Sequence, residues 1–337
     1  MSDHSDSREL KRAHDAVDFR ERLETAESKK RSLETLKMAR ALALAGLPKR
    51  RIKGQTLSRE LRLGRTLWLK ADYSVSSGDE LPFGADRLVL AALQHYAIQQ
   101  DSPVVTFERV SEVLELFDLD KGGQNLRLLR ERFRRLSNLA IRLRFAETQE
   151  ELQAGKYSRG ENLFVVESVA LPTRRDLLSE KAGQGLLVMS SPNEVFSGPY
   201  GVRLASEFWN HLRESTNRLI VPLELLKLFR DRPTGWDYCC FLLTRCGSAK
   251  TTSAVPHEAL ISLFRDKEGE ADRHVVRRLQ DYHKEIMAAT GDRLNAEWFE
   301  DAPLPSTGGR PKKRWGLKVG PSKSVLGRIR RTPRDEH

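Results

Sequence analysis

The sequence predicts a mainly helical α+β protein with two tandem domains of the same architecture and a basic tail at each end. At roughly 150 residues per domain, a chain of 337 residues is long enough for two domains and their tails. Segments with a helical apolar stripe alternate with short segments of β character, and the order of elements in 66–175 recurs in 200–320. We therefore expect a basic, partly disordered arm over 1–65, a linker over 176–199 and a basic, disordered tail over 321–337.

The first predicted domain has the order helix, strand, helix, glycine turn, helix, hairpin. The segment LPFGADRLVLAALQHYAIQ predicts the first helix, and Gly122 with Gly123 predicts the turn before the third. The remaining elements are a strand at 104–107, helices at 108–119 and 124–140, and hairpin strands at 141–145 and 162–171. This order is that of a winged helix, a helix-turn-helix followed by a β-hairpin wing.

The second predicted domain repeats this order. After a strand at 202–205 and a short helix at 206–212, the run WDYCCFLLTRC predicts a buried helix and VPHEALISLF predicts the next. A longer helix follows over 271–290, and strands at 294–302 and 314–319 flank a loop rich in Pro and Gly. We therefore expect two tandem winged helices.

The charge of the chain is positive and clustered. Lys and Arg number 58 against 47 acidic residues, which gives a net charge of +11. Residues 123–144 contain seven Arg and one acid, and residues 302–337 contain ten Lys or Arg and two acids. Separate basic blocks on a nearly neutral scaffold favour a polyanionic partner, because contacts to phosphates release counterions.

Several classes of protein are disfavoured by the sequence. The polar start predicts no signal peptide, and no apolar stretch approaches the ~18 residues of a membrane span. Cys239, Cys240 and Cys246 lie in an apolar run and are interpreted as reduced core residues, which predicts a cytoplasmic protein. There is no phosphate-loop motif and no metal-binding spacing of Cys or His, so we expect no catalytic site, no metal and no cofactor.

The helix predicted at 124–140 has an apolar stripe through Leu126, Leu129, Phe133 and Leu136. Arg can pair bidentately with guanine or bind a phosphate, and Asn and Gln can recognise adenine. Seven polar residues of this helix are therefore candidate DNA contacts: Gln124, Asn125, Arg127, Arg130, Arg134, Arg135 and Asn138. The alternative is an ordinary solvated helix surface.

The helix predicted at 271–290 has a stripe through Val275, Leu279, Tyr282 and Ile286. Its candidate DNA contacts are Arg273, Arg277, Arg278, Gln280 and Lys284. Because both helices follow a shorter helix and a turn and both precede a hairpin, the pair favours DNA binding over solvated surfaces.

Two further basic segments are candidates for DNA contact. The loop GGRPKKRWG at 308–316 resembles the core of an AT-hook, which lies in the minor groove, and its alternative is a generic phosphate-binding loop. It contributes Arg310, Lys312, Lys313 and Arg314. The run PKRRIK at 48–53 is interpreted either as a DNA-contacting arm or as a solvated segment.

Residues 80–290 resemble the RepA family of plasmid-encoded replication initiators. The segment LPFGADRLVLAALQHYAIQ and then GGQNLRLLRERFRRLSNLAIRL are similar to the family's Leu-Pro-Tyr-Gly start and Arg-rich helix, with Phe83 in place of the usual Tyr. YGVRLASEFWNHL and VPLELLKLFRDRPTGWDYCCFLLTR are similar to its second half. The resemblance implies tandem winged helices that bind repeated duplex sites at an origin, opening of adjacent AT-rich DNA, recruitment of the host initiator and replicative helicase, and a homodimeric form.

Two other functions remain open at this stage. A transcriptional repressor would use the same DNA contacts only to occlude a promoter. A nicking enzyme would need a nucleophilic Tyr and a His-x-His metal site, and the sequence has no His-x-His.

Overall fold

The computed structural model divides the chain into two units, which we call the middle unit, residues 37–218, and the outer unit, residues 1–36 with 219–337. The fold is of mixed helical and strand character, as predicted. The structure describes residues 3–29, 33–62, 67–172, 186–188, 200–266, 269–301 and 314–322.

The elements are numbered in chain order. Up to residue 172 they are α1 (Asp3–Ser28), β1 (Thr35–Ala39), α2 (Arg40–Ala45), β2 (Thr56–Arg62), β3 (Trp68–Ser74), α3 (Asp86–Gln100), β4 (Val104–Phe107), α4 (Glu112–Glu115), α5 (Gly123–Ser137), β5 (Ala140–Ala146), α6 (Gln149–Gln153), β6 (Arg159–Phe164) and β7 (Val166–Pro172). From residue 186 they are β8 (Leu186–Val188), β9 (Tyr200–Leu204), α7 (Ser206–Arg213), β10 (Arg218–Pro222), α8 (Leu223–Lys227), α9 (Pro233–Ser248), β11 (Ser253–Pro256), α10 (His257–Phe264), α11 (Asp272–Thr290), β12 (Ala296–Asp301) and β13 (Arg314–Val319).

The described residues of the middle unit form two four-stranded sheets, in the orders β2-β3-β5-β6 and β4-β9-β7-β8. The helix α3 is buried on nearly all sides, since Leu88 through Gln94 are all buried. Helix α5 packs on this core through Leu129, Phe133 and Leu136, which are completely buried. The apolar stripe predicted for the Arg-rich helix is therefore the face that it buries.

The pairing of strands in the middle unit differs from the predicted hairpin. Strand β5 pairs with β6 in the register Ile141↔Leu163, but β7 leaves this ladder and pairs with β9 instead. Strand β4 also pairs with β9, in the register Val105↔Val202. The sequence cannot select such partners, because alternation identifies a strand but not the distant strand that completes its hydrogen bonds.

The predicted domain boundaries also differ from the two units. The strand and short helix expected to open the second domain, β9 and α7, belong to the middle unit. The expected arm 1–65 contributes α1 to the outer unit, while β2 pairs along its whole length with β3 of the middle unit. Helix α1 packs on α11 and α8, and its buried residues are Ala16, Phe19 and Leu23. So narrow a stripe in a strongly polar segment gives little signal until the groove that receives it is known.

From residue 233 onward, the described elements of the outer unit have the order α9, β11, α10, α11, β12, β13. Its three-stranded sheet has the order β11-β13-β12, so β11, the strand between α9 and α10, pairs with the second strand of the hairpin.

Helix α9 begins with Pro233 in its first turn. The N–H that proline lacks would have no partner within the helix at this position, so no helical hydrogen bond is lost. Cys239, Cys240 and Cys246 are buried free thiols, as interpreted from the sequence.

Candidate nucleic-acid interface

The helix α11 presents one apolar and one cationic face. Val275, Leu279 and Ile286 are completely buried and hold the helix on the core. The cationic face is formed by Arg273, Arg277 and Lys284, all of them exposed. Among the described residues, none of these three cations has a hydrogen-bond or ion-pair partner. Their charges are therefore available to a phosphate or a base edge.

Two other predicted residues of α11 have different environments. Arg278 is used inside the protein: it forms an ion pair with Glu270, lies 3.3 Å from Asp266 Oδ2, and donates to the carbonyl oxygen of Phe264 at 3.1 Å. The Arg278 guanidinium thus holds the turn between α10 and α11, and its DNA contact stays a prediction. Gln280 is half-buried on the cationic side of the helix.

The core side of α11 contains a buried histidine. His283 Nδ1 lies 3.2 Å from the hydroxyl oxygen of Tyr238, and the ring packs edge-on against Trp298. Burial lowers the pKa of His283 to about 4. This residue is therefore neutral at pH 7 and adds no charge to the surface.

Helix α5 begins at Gly123 with Gly122 as its N-cap. Gln124 and Arg127 are exposed near this end, and the Arg127 side chain is 82% exposed, 3.5 Å from Glu131. Asn125 is engaged locally, since its Nδ2 donates to the carbonyl oxygen of Asp120 at 2.8 Å. Asn125, one of the predicted DNA contacts, thus fixes the exposed start of α5 to the turn that precedes it.

Arg135 is held in a largely buried ion pair and does not form part of the exposed face. Its Nε and Nη2 donate to the two carboxylate oxygens of Asp86 at 2.7 and 2.8 Å, and its guanidinium lies 5.0 Å from the centre of the Phe83 ring. Hydrogen bonding to Asp86 raises the pKa of Arg135 above its usual value. Arg132 lies 3.7 Å from the same carboxylate. Arg135 thus supplies the partner that the buried charge of Asp86 requires, and its DNA contact stays a prediction.

The remaining predicted residues of α5 lie toward its end. Arg134 is exposed and its Nη1 donates to Asp79 Oδ1 at 3.0 Å. Arg130 is half-buried and has no partner among the described residues. Asn138 is the C-cap. Arg127, Arg130 and Arg134 are therefore the cations that α5 can offer to a ligand.

The second wing is described only in part. Arg314 begins β13, opposite Asp301 of β12. Arg310, Lys312 and Lys313 lie outside the described residues.

The sequence did not single out Arg142, which is exposed on β5 and donates from Nε to Asn162 Oδ1 at 2.8 Å. Its only signal was its place in a basic block that continues past the end of α5.

The described part of the chain contains no group of three or more His, Cys, Asp or Glu residues placed to hold a metal ion. No described helix combines the length and the apolar character needed to cross a membrane.

The chain was compared with known proteins. No family model matches it, and no curated protein matches it. Among solved structures, a crystal structure of domains 2 and 3 of RctB is similar with a TM-score of 0.46 and 12% identity, covering 83% of this chain and 96% of that chain. A structure of selenomethionine derivatives of the same two domains has a TM-score of 0.47 and 10% identity, covering 83% of this chain and 98% of that chain. At this distance no residue role or activity is carried over.

Proposed function

We propose that the chain binds duplex DNA through α11 and α5 and acts as a replication initiator at repeated sites of a plasmid origin. The observation that carries DNA binding is the face of α11, on which Arg273, Arg277 and Lys284 are exposed and have no partner among the described residues. The order of elements around α11, with a short helix and a turn before it and a hairpin after it, favours a winged helix.

The spacing of these residues suits a major groove. Positions 273, 277, 280 and 284 recur at helical intervals of four, three and four, so they share one face. Arg273 and Lys284 are separated by about 16 Å along the helix axis at 1.5 Å per residue. This length corresponds to about five base pairs of duplex. The N-terminal half of the helix contains Arg273, Arg277 and Gln280, which is the half that contacts bases in helix-turn-helix proteins.

Helix α5 is the second DNA-binding helix of the proposal. Its exposed cations Arg127 and Arg134 are seven residues apart and lie on one face with Gln124. Both arginines are close to a carboxylate, Glu131 and Asp79 respectively. We therefore expect α5 to contribute more to phosphate binding than to base recognition. The DNA sequence specificity should depend mainly on α11.

The step from DNA binding to initiation is supported by the resemblance of residues 80–290 to the RepA family. On this resemblance we also propose that the chain binds repeated origin sites, opens adjacent AT-rich DNA and recruits the host initiator and helicase. The resemblance further implies a homodimer. The alternative proposal is a repressor, which would use the same faces of α5 and α11 at a promoter.

Selection and sequencing of bound DNA tests the proposal. The full chain is mixed with random duplexes and with fragments of its source DNA, and the retained DNA is sequenced. Tandem repeats beside an AT-rich tract support the initiator, and a lone inverted repeat at a promoter supports the repressor. Retention without any enriched sequence would contradict both. A parallel selection with Arg273→Ala/Arg277→Ala should lose the enrichment, whereas Arg22→Ala, a change of an exposed arginine on α1, should keep it.

A further inference from the structure

A basic loop lies between α2 and β2 in the middle unit. Its tip, which we call the 50–53 loop, contains Arg50, Arg51, Ile52 and Lys53, and all four residues are exposed. Arg50 and Lys53 have no hydrogen-bond or ion-pair partner among the described residues. An exposed run with three cations in four residues favours binding of an anion.

The base of this loop is fixed against the start of α3. Gly84 donates its backbone N–H to the carbonyl oxygen of Pro48 at 2.8 Å, and Arg87 Nη2 donates to the carbonyl oxygen of Leu47 at 3.0 Å. Gly84 has φ +55, a conformation that favours glycine, and a Cβ there would lie 3.7 Å from the carbonyl oxygen of Lys49. The loop therefore has a defined position relative to residues 84–87.

Residues 79–87, which lead into α3 and contact the base of the loop, also contact α5. Asp79 accepts from Arg134, the Phe83 ring lies beneath Arg135, and Asp86 accepts two hydrogen bonds from Arg135. Because residues 79–87 contact α5 on one side and the base of the 50–53 loop on the other, the loop and the end of α5 are neighbours in the middle unit.

The adjacent carboxylates Asp79 and Glu80 link an arginine of α5 to an arginine of the 50–53 loop. Asp79 pairs with Arg134 of α5, and Glu80 pairs with Arg51 of the loop. Since consecutive Cα atoms are about 3.8 Å apart, the two guanidinium groups are separated by at most roughly 18 Å. A separation of up to this length corresponds to at most about five base-pair steps along the duplex axis, at a rise of 3.4 Å per step.

We propose that the 50–53 loop is a second phosphate-binding segment, which extends the duplex contact of α5, and that DNA phosphates replace the Asp79 and Glu80 carboxylates on Arg134 and Arg51. This inference rests on the proposed DNA binding and deepens it. The ligand is the sugar–phosphate backbone, because the loop offers charges on exposed side chains, which suit phosphate groups. The two carboxylates hold the arginines in place in the free protein and reduce the attraction for non-cognate DNA.

The first test removes the unpaired cations of the loop and leaves its ion pair intact. In Arg50→Ala/Lys53→Ala, the slope of log binding constant against log salt should fall by about 1.8, since each phosphate contact contributes about 0.9. The matched control, Arg22→Ala/Arg213→Ala, removes two exposed arginines elsewhere and should leave the slope unchanged. Equal slopes for the loop variant and the control would overturn the inference.

The second test uses a variant that should tighten DNA binding. Asp79→Asn/Glu80→Gln frees both arginines, so binding to non-cognate duplex should become several-fold tighter, with a smaller gain for the cognate site. The matched control, Asp101→Asn/Glu207→Gln, removes two exposed acids of the same unit. If both variants tighten binding equally, the gain is a net-charge effect and the exchange of carboxylate for phosphate is contradicted.

The outcome for the loop can be separated from the outcome for the proposed function. Loss of binding in Arg273→Ala/Arg277→Ala together with no effect of the loop variants would leave the DNA-binding proposal standing and remove only the inference. Failure of the unmodified chain to bind any duplex would overturn both.

Discussion

Asp86, in the first turn of α3, accepts both hydrogen bonds of the Arg135 guanidinium of α5, and its side chain is 1% exposed. This buried ion pair joins the core helix of the middle unit to the helix whose outer face we propose for DNA binding. An arginine chosen from the sequence as a DNA contact therefore sets the position of its own helix.

Asp86→Ala should strongly destabilise the protein. It leaves the largely buried Arg135 charge without its partner. Removal of one member of a buried ion pair costs about 3–5 kcal/mol. Urea unfolding followed by circular dichroism measures the free energy of unfolding. The charge-conserving control Asp79→Glu, on the partly exposed pair with Arg134, should change it by less than about 1 kcal/mol. A cost below about 1 kcal/mol for Asp86→Ala would show that this pair does not hold α5.

Arg277 and Arg278 are adjacent in sequence and should differ in the effect of substitution. Arg277→Ala should weaken binding to the selected site by about 1–3 kcal/mol with little change in stability, because the side chain is exposed and without a partner among the described residues. Arg278→Ala should instead lower stability, because it removes the brace on Glu270 and Asp266. Gel-shift titration and thermal unfolding of both variants measure the two effects. Unchanged affinity of Arg277→Ala for the cognate site would exclude it as a DNA contact.

The stability of the outer unit should depend on pH through His283. Its pKa is lowered to about 4 in the folded chain, whereas an unfolded His has a pKa of about 6.5. The unfolded state therefore binds more protons between these values, so stability is complete above about pH 6.5 and falls as the pH is lowered to about 4. The total loss is about 3 kcal/mol. Urea midpoints at pH 7 and pH 4.5 should differ less in His283→Gln, and an identical difference in both proteins would refute this assignment.

Helix α1 should stabilise the outer unit through one face. Phe19 is 3% exposed where α1 packs, whereas Val17, on another face, is 51% exposed. Phe19→Ala should therefore cost about 3–5 kcal/mol. Val17→Ala, the control in the same helix, should cost less than about 0.5 kcal/mol. Chemical denaturation of the two variants measures this difference, and comparable small effects would mean that α1 does not dock.

The sequence by itself determined the elements that depend on local pattern. Periodic leucines and Phe133 identified the buried face of α5, and the same reasoning found Val275, Leu279 and Ile286 on α11. It also located the cationic face of α11, because residues at helical spacing share a face whatever the helix packs against.

Tertiary structure decided the partners of those elements. It paired β7 and β4 with β9 and packed α1 on α11. It also placed the largely or partly buried Arg135 and Arg278 in ion pairs, whereas the exposed Arg134 pairs with Asp79 and Arg277 has no partner among the described residues. Helical spacing assigns a side chain to a face, but only the distant chain that folds against that face decides whether the side chain meets Asp86 or solvent. The physical reason is that burial, pairing and the cost of an uncompensated charge are set by contacts far apart in sequence.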